Sequence, residues 1–124
     1  VVLPAAALAV GYSLKMSMAP HGPSRDQLAS GKGVFLARCA QCHGDLGQGG
    51  TGRVLVAPWN PLAGYRTADK LFAYVSRAMP YDNPGALKEQ DYWDVIAFLL
   101  DANGTLPRKG HVGSDNASSI KTTR

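Results

Sequence analysis

Cys39-Ala40-Gln41-Cys42-His43 is the stretch on which the reading of this chain turns. Two cysteines separated by two residues and followed at once by histidine form the attachment signature of c-type haem. The spacing has a mechanical reason. Two intervening residues make about one helical turn, so both sulfurs meet one porphyrin edge and add across its vinyl groups. The adjacent imidazole then swings under the metal. These are the only cysteines in the chain, which leaves none for a structural disulfide. A zinc site would need four ligands, but there is no second cysteine pair, and His21 and His111 lie in weakly structured flanks. A thioredoxin-like redox pair would need a preceding strand and a βαβ pattern, and neither is visible.

A length of 124 residues suggests one domain with a modest core, and a hydrophobic share of 45% is ordinary for a globular protein. The net charge of +4 and a pI near 9.3 favour acidic protein partners or membrane headgroups. No Lys/Arg run and no basic helix face is present, so nucleic acid is set aside as a partner.

Residues 1–23 read as an N-terminal export element plus linker. Val1 to Leu14 is apolar but shorter than the roughly 20 residues a bilayer span needs. Two readings stay open. One is the end of a signal peptide, with Ser17-Met18-Ala19 resembling a cleavage site and Pro20 arguing against cleavage there; the other is an uncleaved membrane anchor. Ala19-Pro20-His21-Gly22-Pro23 breaks any helix. Ser24 is a suitable N-cap, Asp26 follows in the first turn, and a helix runs on towards Ala40. Gly31 and Gly33 interrupt that helix at about 1 kcal/mol each relative to alanine, so the sequence predicts close approach by another helix.

With Gly31-Lys32-Gly33-Val34-Phe35-Leu36-Ala37-Arg38 running into the cysteine motif and Gly44, the chain resembles the class I cytochrome c family. The resemblance covers roughly Ser24 to Gly104 and implies a cytochrome c domain over 24–104. The implied fold is all-α, with three to five helices wrapped round one haem c held covalently by Cys39 and Cys42. Gly31 and Phe35 fall on the family's glycine and aromatic positions, where the first helix crosses the last.

The glycine-rich stretch from Asp45 to Gly52 reads as loop, since a phosphate cradle would also need a P-loop lysine and a helix N-terminus. Ala57-Pro58-Trp59-Asn60-Pro61-Leu62 resembles the family's proline segment, in which a proline carbonyl accepts the proximal histidine N–H. Pro58 or Pro61 could serve here, and Pro58 is favoured; Trp59 could pack on a haem edge or in the core, and the core is favoured. Thr67 caps a second helix lasting to Ala78, with Leu71, Phe72, Val75 and Ala78 as its apolar face. Met79-Pro80 ends it, because proline disfavours helical backbone in the residue before it. Met-Pro after a helix is where the resembled family places its distal sulfur ligand, so the resemblance implies His43 and Met79 as the two metal ligands. A soft thioether favours reduced iron and raises the potential.

Lys88 to Leu100 is the clearest helix, carrying Tyr92, Trp93, Val95, Ile96, Phe98, Leu99 and Leu100. Glu89 and Asp91 sit near its positive end, and Asn103-Gly104 supplies the stop. The resemblance puts Phe98 across Gly31 and Phe35. Residues 105–124 are read as a polar extended tail. The function implied is periplasmic one-electron transfer, by a soluble or anchored protein that is not itself an enzyme. A dehydrogenase of the sulfur-compound or quinoprotein alcohol type would be the donor, and an oxidase or another cytochrome of the respiratory chain the acceptor. The alternative is a haem enzyme or ligand sensor with an open distal iron position.

Overall fold

The computed structural model describes residues 23–107 and 111–124. The expected export element, with His21, lies outside the described residues. The helices are α1 (Pro23–Arg38), α2 (Ala40–His43), α3 (Ala68–Ala78) and α4 (Glu89–Ala102), with short 3-10 turns at Ala63–Tyr65 and Ala117–Ser119. Among the described residues no strand forms, and the one isolated antiparallel bridge joins Thr67 to Lys121. None of the described helices is long and apolar enough to cross a membrane.

The α4 helix is the centre of the molecule. Tyr92 to Ala97, Leu99 and Leu100 are all buried, so it is covered on nearly every side. Its C-terminus closes with a Schellman turn. Gly104, at φ +75°, donates to Asp101 O at 2.9 Å and Thr105 N–H reaches Leu100 O at 2.9 Å. The α1 helix begins at Pro23, one residue before the expected cap, and packs along α4 through a narrow stripe. Gln27, Gly31 and Phe35, spaced by one turn each, are its buried positions. A Cβ on Gly31 would collide with the Asp94 backbone oxygen and lie 2.9 Å from Phe98 Cβ. The Phe35 and Phe98 rings meet at 5.4 Å, so the expected crossing is present. A Cβ on Gly33 would meet nothing, which removes that glycine from the contact.

The α3 helix begins at Ala68 after an extended Thr67 and ends where Met79, also extended, precedes Pro80. It buries Ala68 and Leu71 against α4, and its Phe72 stacks on Trp93 at 3.8 Å.

The segment 111–124, read as a polar extended tail, instead runs as turns and a 3-10 turn across the chain's own helices and buries Val112, Ala117, Ile120 and Thr122. Gln27 bonds both backbone groups of Val112, accepting its N–H at 2.8 Å and donating to its carbonyl at 2.9 Å. Ile120 O accepts the first amide of α3, at Ala68 (2.8 Å), so the segment caps that helix where a side chain would otherwise be needed. Arg124 closes the strap on Asn103 O at 3.2 and 3.3 Å. Burying Val112 and Ile120 contributes about 1.5–3 kcal/mol each.

Candidate haem site

The first helix delivers the cysteine motif. Cys39 N–H still bonds Phe35 O at 2.9 Å, and its own φ of −122° breaks the helix before the single turn of α2. His43 N–H then bonds Cys39 O at 3.0 Å, which gathers Cys39, Cys42 and His43 into one turn. Neither cysteine forms a disulfide; Cys42 is exposed and Cys39 half-buried. Burial pushes the Cys39 thiol up to about 11, with the neighbouring Arg38 opposing this and Cys42 adding to it, so it stays a protonated thiol at neutral pH.

The glycine-rich loop folds back under this turn. Gly49 and Gly52 donate to the carbonyls of His43 and Cys42, each at 2.7 Å, and satisfy groups that end a helix unpaired. A Cβ on Gly52 would stand 2.9 Å from His43 Nδ1 and Cε1, so only glycine lets the backbone lie on the imidazole edge. The next residue makes the key contact: His43 Nδ1 donates to Arg53 O at 2.7 Å. This corrects the expectation for Pro58. The role given to Pro58, or to Pro61, is filled by Arg53, because the glycines bring the chain back to His43 several residues before the proline segment. Pro58 is exposed, and so is Trp59, at 72% rather than in the core. With Nδ1 carrying the proton, Nε2 keeps its lone pair for a metal.

Asn103, 2% exposed at the end of α4, fastens the return of this loop. Its Nδ2 donates to Leu55 O at 2.9 Å and its Oδ1 accepts Ala57 N–H at 3.3 Å. Met79 stands half-buried beyond α3, and its carbonyl accepts the Tyr92 hydroxyl at 2.7 Å. His111, considered as another ligand, is exposed on the strap and bonded through Nε2 to Asp115 at 2.9 Å. That hydrogen bond holds the Asp115 carboxyl below the usual carboxylate range.

Three functional contacts escaped the sequence. Arg53 acts through a carbonyl, which every residue has; the density of glycines before it is the trace it leaves. Tyr92 reads as one more large residue on an apolar helix, and Asn103 as a helix stop.

The donor set fits a haem attached through thioethers. Two free thiols one turn apart stand beside an imidazole whose outer nitrogen is held and whose other nitrogen is free. Among the described residues, no three His, Cys, Asp or Glu side chains converge to hold a metal ion by themselves. Three of the large exposed apolar side chains also flank these residues in sequence: Leu46 after His43, Trp59 in the returning loop and Tyr81 after Met79, at 75%, 72% and 82% exposure.

The sequence profile of the family described as cytochrome C oxidase, cbb3-type, subunit III matches residues 26–99. The thiosulfate dehydrogenase of Stutzerimonas stutzeri is 35% identical over 80 residues, covering 58% of this chain and 26% of that protein. The thiosulfate dehydrogenase of Allochromatium vinosum is 28% identical over 110 residues, covering 79% of this chain and 38% of that protein. The crystal structure of the sulfane dehydrogenase SoxCD from Paracoccus pantotrophus superposes with a TM-score of 0.65 at 26% identity. The match covers 76% of this chain and 52% of that one. The chain therefore spans well under half of either curated relative.

Proposed function

The chain belongs to the cytochrome c family described as cbb3-type subunit III, and from that premise we propose that it is a periplasmic electron-transfer module with a single haem c axially held by His43 and Met79. Membership of the family implies a covalent haem c; its attachment through Cys39 and Cys42 is part of the proposal. When bound, the haem supplies a one-electron couple. The chain's residues do the rest. Cys39 and Cys42 would hold the haem by thioether bonds, Arg53 O orients the His43 ring, and Met79 would supply a soft sulfur ligand. Were His43 and Met79 both to ligate the iron, no position would be left for substrate, which favours a carrier or a cytochrome subunit over an enzyme. The observation that supports this reading is the His43 Nδ1–Arg53 O hydrogen bond, which leaves the Nε2 lone pair free for a metal.

The donor we propose is a dehydrogenase acting on sulfur compounds. The relatives bear the names thiosulfate dehydrogenase and sulfane dehydrogenase, which favours this donor over a quinoprotein alcohol dehydrogenase. The test begins with protein matured in an export system. Mass spectrometry should find one covalent haem per chain, and the oxidised protein should show the far-red band of sulfur-to-iron ligation. Rapid carbon monoxide binding by the reduced protein, with that band missing, would replace the carrier with the open-site reading. Stopped-flow mixing with a sulfur-compound dehydrogenase then tests the donor.

A further inference from the structure

Tyr92 holds both ends of the segment that carries Met79. Its hydroxyl donates to Met79 O at 2.7 Å and accepts Leu87 N–H at 3.3 Å. Among the described residues no other side chain bonds the backbone of this loop. Its other hydrogen bonds are short-range and internal, such as Gly85 N–H to Met79 O at 3.2 Å. Residues 81–86 are exposed, whereas the Tyr92 ring is 3% exposed and set edge-on to Phe72 at 6.3 Å. Phe72 in turn stacks on Trp93. A rigid aromatic body inside the core thus ends in one hydroxyl that reaches a loop otherwise fastened by the burial of Pro80 and by its own short-range hydrogen bonds.

We propose that Tyr92 is the positioning residue for Met79, and that its two hydrogen bonds set how often the 79–87 loop lifts from α4. The proposal rests on the reading of Met79 as the axial ligand. Its consequence is that Tyr92 governs how fast an outside ligand can take the place of the Met79 sulfur, an exchange of sulfur for nitrogen at unchanged oxidation state.

The test uses the haem-loaded protein and Tyr92→Phe, which keeps the ring and removes the hydroxyl. Imidazole is mixed with the oxidised protein, the loss of the far-red band is timed, and amide hydrogen exchange is read at Gly85. The variant should keep the band before imidazole is added. Imidazole binding and Gly85 exchange should then both run about three- to tenfold faster, the factor that one ordinary net hydrogen bond supplies. Val112→Ala serves as the control, because it removes buried methyl groups where the strap meets α1 and touches no hydrogen bond of the loop. It should leave both rates alone. Equal acceleration in the two variants would mean that the rates report global stability, and would overturn the proposal. Unchanged rates in Tyr92→Phe, with the band present in the unaltered protein, would overturn it alone. Absence of the band in the unaltered protein would overturn the axial reading and the proposal together.

Discussion

His43 is useful to a metal only while one ring nitrogen is held, and a backbone carbonyl holds it. Gly52→Ala tests that arrangement directly, since the new methyl group would press on Nδ1 and Cε1 from 2.9 Å. Losing the Arg53 bond makes the imidazole a poorer donor, so the midpoint potential should rise, on the order of 60 mV for a tenfold change in relative ligand affinity. A redox titration followed in the visible spectrum checks both sign and size. Cys39 offers a second test in the haem-free chain. Its folded value is raised from 9.0 to about 11, so the thiolate is suppressed until the pH passes well beyond 9.0. Alkylation followed by mass spectrometry should modify exposed Cys42 first, and the Cys39 rate should still be climbing at pH 10. The same shift makes burial of Cys39 stabilising below the unfolded value, an advantage lost as the pH rises through about 11. Legibility at this scale followed the chemistry of side chains. The cysteines and His43 announced themselves, whereas Arg53 could not, because a carbonyl leaves no mark on residue type.

The helices were easier to foresee than their contacts. Met79-Pro80 and Asn103-Gly104 ended α3 and α4 where expected because breakers act locally, whereas Thr67 marks the start of α3 without a side-chain cap, its first amide being held by Ile120 O from the strap. Gly31 and Gly33 looked alike in sequence, yet Gly31 faces α4 and Gly33 faces open space. Their alanine variants should therefore move stability in opposite directions. Gly31→Ala forces the α1–α4 crossing apart and should cost about 1–3 kcal/mol or more. Gly33→Ala should stabilise by about 0.5–1 kcal/mol through helix propensity alone. Chemical denaturation of the two proteins side by side decides the matter. The strap was hidden for a different reason. It is held by Gln27, Asn60 and the backbones of Arg66 and Ala68, so it has no hydrophobic period to read.

At the scale of the molecule, that strap makes the 111–124 segment part of the core rather than an appendage. Ile120→Ala, at a site 6% exposed, should cost about 2–5 kcal/mol and lower the thermal midpoint of unfolding. The net charge of +4 makes a second prediction for the whole protein. Reduction by an acidic partner should slow as salt is raised from low to physiological strength, where charges more than about 8 Å apart are screened. A rate that ignores salt would point instead to docking that does not depend on charge. One element ties the two sides of the site together. From α4, Tyr92 reaches Met79, while Asn103, about 16 Å further along the axis at 1.5 Å per residue, reaches the loop that follows His43. The two segments proposed to flank the metal are thus tied to a single helix set in the core. Under the proposed ligation, that shared support would limit how far the two ligands shift when an electron arrives or leaves, and would so keep the reorganisation energy, and with it the activation barrier to transfer, small.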